Sequence, residues 1–246
     1  MRREVIYQYS YTLNRNMKVR IYGHYGDTFL FFPSQDHQSD DYENFGVISS
    51  LSDFIEQGKI KIVCIDGIDY ESFSSNASYE HRAYMQEQYY HYVINEVLPL
   101  IYSDNHGFCL PFVSGCSMGA TQAAIFFFRR PDLFKGVLAL SGIYDVSYFF
   151  SSWCNLDIYN NSPTRFLKNM PWNHPYISLY NQRDIIFCVG QGDYEHLVDW
   201  SFYELRNVLF EKGINAWMDV WGQDSAHHWY WWIKHYRYFI LYLINK

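Results

Sequence analysis

Long runs of one charge are missing from this chain, and so is any basic stretch of the kind that tracks a phosphate backbone. Lys and Arg total 19 against 26 Asp and Glu, for a net charge of −7. Nucleic acid is therefore not an expected partner. Cysteine is scarce: Cys64, Cys109, Cys116, Cys154 and Cys188 are the only ones. Their number is odd and no two stand as C-x-x-C. That argues against a disulfide framework or a structural zinc site and leaves buried free thiols in a reducing cytoplasm as the simple reading. No H-E-x-x-H occurs, and His227-His228 lacks carboxylates at zinc-ligand spacing, so no catalytic metal is expected. The opening residues, MRREVIYQYSYTL, have neither the apolar core nor the small-residue cleavage site of a signal peptide. No run of about 18 apolar residues is available to span a membrane. A cytoplasmic protein with no membrane span is the expectation. Repeats, low-complexity tracts and linkers are absent as well. The length, 246 residues, suits one large α/β domain or two small ones.

What the chain has in quantity is apolar surface. Hydrophobic residues make up 49% and charged residues 18%, enough for a substantial core and too apolar for disorder. Aromatics reach 21%, with 24 Tyr. Packing accounts for such a content, and so does an aromatic-lined pocket.

Short β-rich runs alternate with helical patterns. VIYQYSYTL (5–13) and KVRIYGHY (18–25) predict a hairpin turning at Asn14-Arg15-Asn16. TFLFFPS (28–34), KIVCID (61–66), PFVSGC (111–116), GVLALSG (136–142) and IIFCVGQG (185–192) read as buried strands, and INAWMDVWG (214–222) as the last. Helices are predicted from about Tyr79 to Tyr102, from the end of PFVSGC to about RRPD (129–132), from Val198 to Lys212, and from Trp229 onward. Gly213 stands where a helix C-terminal glycine belongs. Near-continuous apolar strands between helices predict a mostly parallel sheet covered on both faces. Residues 143–184 break the alternation. They are long, rich in Asn, Pro and aromatics, and predict a lid-like or pocket-forming insertion after the sixth strand, with Tyr144, Tyr148, Phe149, Phe150 and Trp153 as candidate pocket residues.

One pentapeptide carries chemistry. Gly115-Cys116-Ser117-Met118-Gly119 is G-x-S-x-G between a predicted strand and a predicted helix, the setting of a nucleophile elbow. A sharp turn there pushes the Ser117 hydroxyl out of the strand end, and glycines two residues away avoid collision with the crossing strand and helix. A serine hydroxyl needs a base, and the expected chain order is Ser, then Asp or Glu, then His. The downstream histidines are His174, His196, His227, His228 and His235. His227 and His228 follow the last strand, where a loop returns to the sheet's C-terminal edge. His235 lies inside the final helix and His174 in the insertion. For the acid, Asp193 and Glu195 both follow IIFCVGQG, and spacing alone does not choose between them. Asp184 lies at the wrong end of that strand, while Asp219 and Asp224 are weaker candidates. The Met118 amide is one oxyanion donor, and the second is expected after FFPSQDHQ, from Gln35 or, failing that, Ser34. Pro33 has no N–H to give.

With those residues in place, the chain resembles the α/β-hydrolases, closest to the esterase D branch. SGCSMGATQAAIFFFRRPDLFKGVLALSG (114–142) resembles its elbow, helix and next strand; EVLPLI (96–101) is similar to the preceding helix; AHHWYWW (226–232) resembles an H-x-W-x-x-W ending. The last match implies His227 as the base, with Trp229 and Trp232 in the aromatic positions. A bacterial GCSMG subgroup with Glu at the position of Glu195 implies that residue as the acid, with Asp193 the alternative. The resemblance implies a single α/β-hydrolase domain over 1–246: a mostly parallel eight-stranded sheet, helices on both faces, and the 143–184 insertion. It further implies a cofactor-independent serine esterase that hydrolyses a small-molecule ester through an acyl-enzyme. An acyltransferase and a catalytically silent binding protein on the same scaffold are the competing readings. A homo-oligomer is left open.

Overall fold

Eight strands build a single sheet: β1 (Arg3–Ser10), β2 (Arg15–Tyr22), β3 (Asp27–Phe32), β4 (Ile60–Ile65), β5 (Phe112–Cys116), β6 (Gly136–Leu140), β7 (Asp184–Val189) and β8 (Trp217–Val220). The computed structural model describes residues 1–246. In space the strands run β1-β2-β4-β3-β5-β6-β7-β8. The β1–β2 and β2–β4 pairs are antiparallel, and the rest are parallel. Every residue of β4, β5 and β6 is buried, because helices cover both faces.

Three short helices, α1 (Asp41–Asn44), α2 (Val47–Ser50) and α3 (Ser52–Glu56), join β3 to β4. Longer ones follow: α4 (Tyr79–Tyr92), α5 (Leu98–Asp104) and α6 (Met118–Arg129). After β6 come α7 (Leu156–Asn160), α8 (Pro163–Asn169) and α9 (Pro175–Tyr180), then α10 (Asp199–Glu211) and α11 (Trp229–Leu243) beyond β7 and β8. One face of the sheet, through Leu30, Val63, Val113 and Val137, packs on Tyr89 of α4, Phe126 of α6 and Phe202 of α10. The other, through Phe29, Phe31, Ile62 and Leu138, packs on Tyr42, Phe54 and the Trp232, Tyr236 and Phe239 ridge of α11. This is the α/β-hydrolase architecture that the motifs implied.

The structure departs from the sequence reading in four places. The hairpin turns earlier, at residues 11–14, because Ser10 pairs with Arg15. Leu13 is buried and its amide is held by Ser10 Oγ at 3.1 Å, while Glu96 accepts from the Thr12 amide at 2.9 Å. Asn14 closes the turn in the left-handed region, φ 53°. The expected helix from Tyr79 to Tyr102 is interrupted by a wide π turn over Val93–Val97. Pro99 lies just beyond it and has no amide for the ladder. The last strand is shorter than 214–222. Residues 143–184 fold as a 3₁₀ turn (Val146–Phe150) followed by α7, α8 and α9. Of the cysteines, Cys64, Cys116 and Cys188 are buried, Cys109 is half-buried and Cys154 is exposed, so burial does not extend to all five. No helix is long and apolar enough to cross a membrane.

Candidate active site

At the C-terminal end of β5 the chain turns directly into α6, and the residue at the corner is Ser117. Its backbone is strained, with φ 54° and ψ −123°. Gly115 and Gly119 make that corner possible. A Cβ on Gly115 would lie 2.1 Å from the Gly119 backbone, and one on Gly119 would lie 2.3 Å from the Phe32 carbonyl oxygen. The first contact closes the elbow on itself. The second seats it against the end of β3.

The Ser117 Oγ lies 3.0 Å from His227 Nε2. On the far side of the ring, His227 Nδ1 faces Glu195 Oε2 at 3.5 Å, slightly beyond hydrogen-bond reach. Neither of those two atoms has another partner. Glu195 is fully buried, and its other oxygen accepts from Ser141 Oγ at 2.7 Å. Asp193 is exposed and borders a separate polar groove with Gln191, His196 and Asp199. Its carbonyl oxygen, not its carboxylate, meets His227, accepting from that residue's amide at 2.9 Å.

The loops carrying Glu195 and His227 are laced together. Ser225 O accepts from the Gly192 amide at 2.8 Å, and Ser225 Oγ pairs with His235 Nε2 at 3.1 Å. His235 is buried in α11, and burial pushes it down to about 4, so it is neutral near pH 7. The remaining histidines are occupied or remote. His228 caps α11 by accepting from the Tyr230 amide, and His174 caps α9 by accepting from the Tyr176 amide. His196 is exposed. Asp184 sits at the opposite end of β7, paired with Lys246; Asp219 accepts from Trp221 Nε1; Asp224 is exposed.

The loop after β3 approaches the elbow from the other side. Ser34 donates its amide and its hydroxyl to Asp41 Oδ2, at 2.8 and 2.7 Å. That removes Ser34 as a free amide donor. Asp36, in the left-handed region at φ 59°, donates its amide to the Asp69 carboxylate. Between these two anchors the Gln35 amide has no protein acceptor. Met118 is the first residue of α6, so its amide lacks an intrahelical acceptor too. Both residues border the same cavity as Ser117. Tyr42 fixes the two halves against each other. Its hydroxyl donates to the Phe32 carbonyl at 2.7 Å and accepts from the Cys116 amide at 3.2 Å. Sequence reading missed Asp41 and Tyr42, on the short helix that follows the loop, and Asp69, farther along the chain, which hold it in place. It also missed Ser141, whose place at the C-terminal end of a strand beside the elbow was the available signal.

Burial raises the Asp69 carboxyl from its ordinary 3.8 to about 6. The folded protein therefore binds a proton between those values that the unfolded chain does not, so this group favours folding more as pH falls from about 6 to about 4. Asp69→Asn keeps an acceptor for the Asp36 amide but cannot titrate. Its stability relative to wild type is expected to fall by about 3 kcal/mol across that window. Urea midpoints measured from pH 4 to pH 7 test this; a constant gap between the two proteins refutes it.

A cavity of about 230 Å³ opens over Ser117. Thr121, Ile143, Tyr148 and Phe149 form one side, and Tyr194, Leu197 and Val198 the other. No carboxylate, ammonium or guanidinium lines it. Only two of the five aromatics expected there reach it. Tyr144 is buried against Phe187, while Phe150 and Trp153 pack around Tyr79. The 3₁₀ turn separates Tyr148 and Phe149 from their neighbours and aims only these two at the cavity.

Comparison with solved structures gives the same architecture at low identity. A ferulic acid esterase superposes with a TM-score of 0.73 at 14% identity, covering 99% of this chain and 97% of its own. An S-formylglutathione hydrolase (FrmB) from Staphylococcus aureus gives 0.68 at 14%, covering 99% and 96%. One from Agrobacterium tumefaciens gives 0.72 at 15%, covering 98% and 94%. No curated protein matches the sequence. The sequence does match the family described as "Putative esterase" over residues 10–245, nearly its whole length. The elbow, the cavity above it and that match lead to one assignment: the chain belongs to this esterase family and is an esterase of the α/β-hydrolase fold.

Proposed function

We propose that the protein is a serine carboxylic-ester hydrolase in which Ser117, His227 and Glu195 form the catalytic triad. The observation that carries this reading is the 3.0 Å approach of His227 Nε2 to a serine held in a strained elbow beneath a cavity. Ser117 Oγ attacks the ester carbonyl carbon while His227 Nε2 takes its proton. The Met118 and Gln35 amides receive the oxyanion. Collapse of the tetrahedral intermediate breaks the bond to the alcohol oxygen, which leaves with the proton from Nε2. A water then repeats the sequence on the acyl-serine and releases the acid. Glu195 holds the Nδ1–H tautomer and stabilises the imidazolium formed at each step. The absence of charged side chains from the cavity supports a neutral acyl group, because a buried charge without a partner is costly. Residues 143–184 contribute one wall of that acyl site through Tyr148 and Phe149.

The test is a fluorophosphonate probe on the intact protein, with the adduct located by peptide mass spectrometry. Labelling at Ser117 that a competing neutral ester slows supports the reading; an unlabelled Ser117 in folded protein overturns it. A panel of p-nitrophenyl esters of increasing acyl length tests the wall. Tyr148→Ala and Phe149→Ala are expected to move the preferred acyl chain to greater length. Phe150→Ala, which empties a buried packing site, should lower stability by about 3 kcal/mol or more with the ranking unchanged. An unaltered ranking in both cavity variants removes the insertion from the acyl site.

A further inference from the structure

We infer that Ser141 is a positioning residue for the triad acid, and that its hydroxyl, relayed from Trp232, holds the Glu195 carboxylate in the orientation that turns one oxygen to His227. The inference rests on the triad reading above. Ser141 follows β6 in the left-handed region, φ 57°, and is buried. Glycine takes that conformation without the Cβ penalty, and Gly142 is the very next residue. A serine held there against its backbone preference carries something glycine lacks, and here it is the hydroxyl. Backbone strain of this kind persists where the surroundings enforce it, and it recurs around this cavity: Ser117 and Tyr194, which line it, also have positive φ.

The hydroxyl stands in a directed chain. Trp232 Nε1 donates to Ser141 Oγ at 3.4 Å, and Ser141 Oγ donates to Glu195 Oε1 at 2.7 Å. The indole can only donate, so it directs the serine proton toward the carboxylate. That leaves Oε2 for His227 Nδ1–H, and Nε2 free to accept from Ser117. Ser141 is the one protein donor within hydrogen-bond distance of the Glu195 side chain, which is fully buried. Trp232 also packs edge-on against the His227 ring, centroids 4.8 Å apart. One tryptophan therefore packs against the base and orients the acid.

Ser141→Gly separates the hydroxyl from the backbone, because it removes the donor and relieves the strain together. The expected result is a kcat lowered roughly 10- to 100-fold, the usual effect of leaving a buried acceptor unpaired, with KM within about twofold and Tm unchanged or raised. Ser141→Ala should lose kcat equally but melt lower, since it keeps the Cβ in the left-handed region. A merely structural role predicts the opposite order, with Ser141→Gly at wild-type turnover. The far-downfield proton resonance of an imidazole Nδ1–H shared with a carboxylate is the second readout, observed in the fluorophosphonate adduct at low pH, where His227 is charged and the 3.5 Å gap to Glu195 closes. It should be present in wild type and shifted or lost in Ser141→Gly. Wild-type kcat in Ser141→Gly with the resonance unmoved overturns the role of Ser141 alone. Absence of that resonance from wild type, together with no esterase activity, overturns the triad reading beneath it.

Discussion

Ser117→Ala is expected to fold as wild type does and to lose ester hydrolysis by roughly 10⁴-fold or more. The substitution removes one oxygen from the mouth of the cavity and leaves the elbow's two glycine contacts intact. Alanine tolerates φ 54° no better than serine, so the strain at the corner stays about equal. The lost atom is the one 3.0 Å from His227 Nε2. His227→Ala should be nearly as damaging, because the proposed mechanism makes it the proton acceptor. A nucleophile and its base act as one unit, so the double variant should be little worse than either single one. His228→Ala serves as the internal comparison. Its side chain caps α11, so it should cost stability of about 1 kcal/mol and little turnover. Turnover by Ser117→Ala at a tenth of the wild-type rate or better would remove the elbow from the chemistry. Full activity in His227→Ala with a large loss in His228→Ala would exchange the two histidines.

The parts of the fold legible in the sequence are those where a local pattern and its tertiary setting agree. β4, β5 and β6 read as apolar runs because both faces are covered, and Gly213 ends α10 in the left-handed region, as a C-terminal glycine does. The elbow was legible because steric crowding at one serine leaves glycines at fixed offsets. The hairpin turn was not, because Glu96, far along the chain, accepts from the Thr12 amide and the Ser10 hydroxyl while Leu13 is buried. The same limit applies around the active site. Nothing local marks Asp41 or Asp69 as anchors for the Gln35 loop, since each acts across a turn on an amide that composition does not single out. Of five aromatic candidates between Tyr144 and Trp153, only Tyr148 and Phe149 face the cavity. Within the 3₁₀ turn the backbone separates Tyr148 and Phe149 from Phe150, while Tyr144 and Trp153, outside it, pack on Phe187 and Tyr79; side-chain type encodes neither.

Glu195→Gln is expected to cut turnover by orders of magnitude, while Asp193→Asn should leave it near wild type. Two carboxylates follow β7, and their environments divide them. Asp193 is exposed and borders a polar groove. Glu195 is fully buried, with one oxygen on Ser141 and the other facing His227 Nδ1. Glutamine matches glutamate in shape, so the change is one of charge and proton direction. Its carbonyl oxygen would take the Ser141 hydrogen bond, because Ser141 is itself directed by Trp232 Nε1. The amide NH₂ would then face Nδ1 and favour the tautomer with the proton on Nε2, where it can no longer accept from Ser117. An amide also gives no charge to stabilise the imidazolium. The equivalent Asp-to-Asn change in serine proteases, about 10⁴-fold in kcat, sets the scale. The 3.5 Å separation at Nδ1 should shorten when substrate fills the cavity and His227 becomes charged. Single-turnover acylation rates with a p-nitrophenyl ester, compared for the two variants, measure the difference at the chemical step. A large loss in Asp193→Asn beside a near-normal Glu195→Gln would transfer the role to Asp193, and would require its loop to leave the Ser225 and His227 contacts that now hold it.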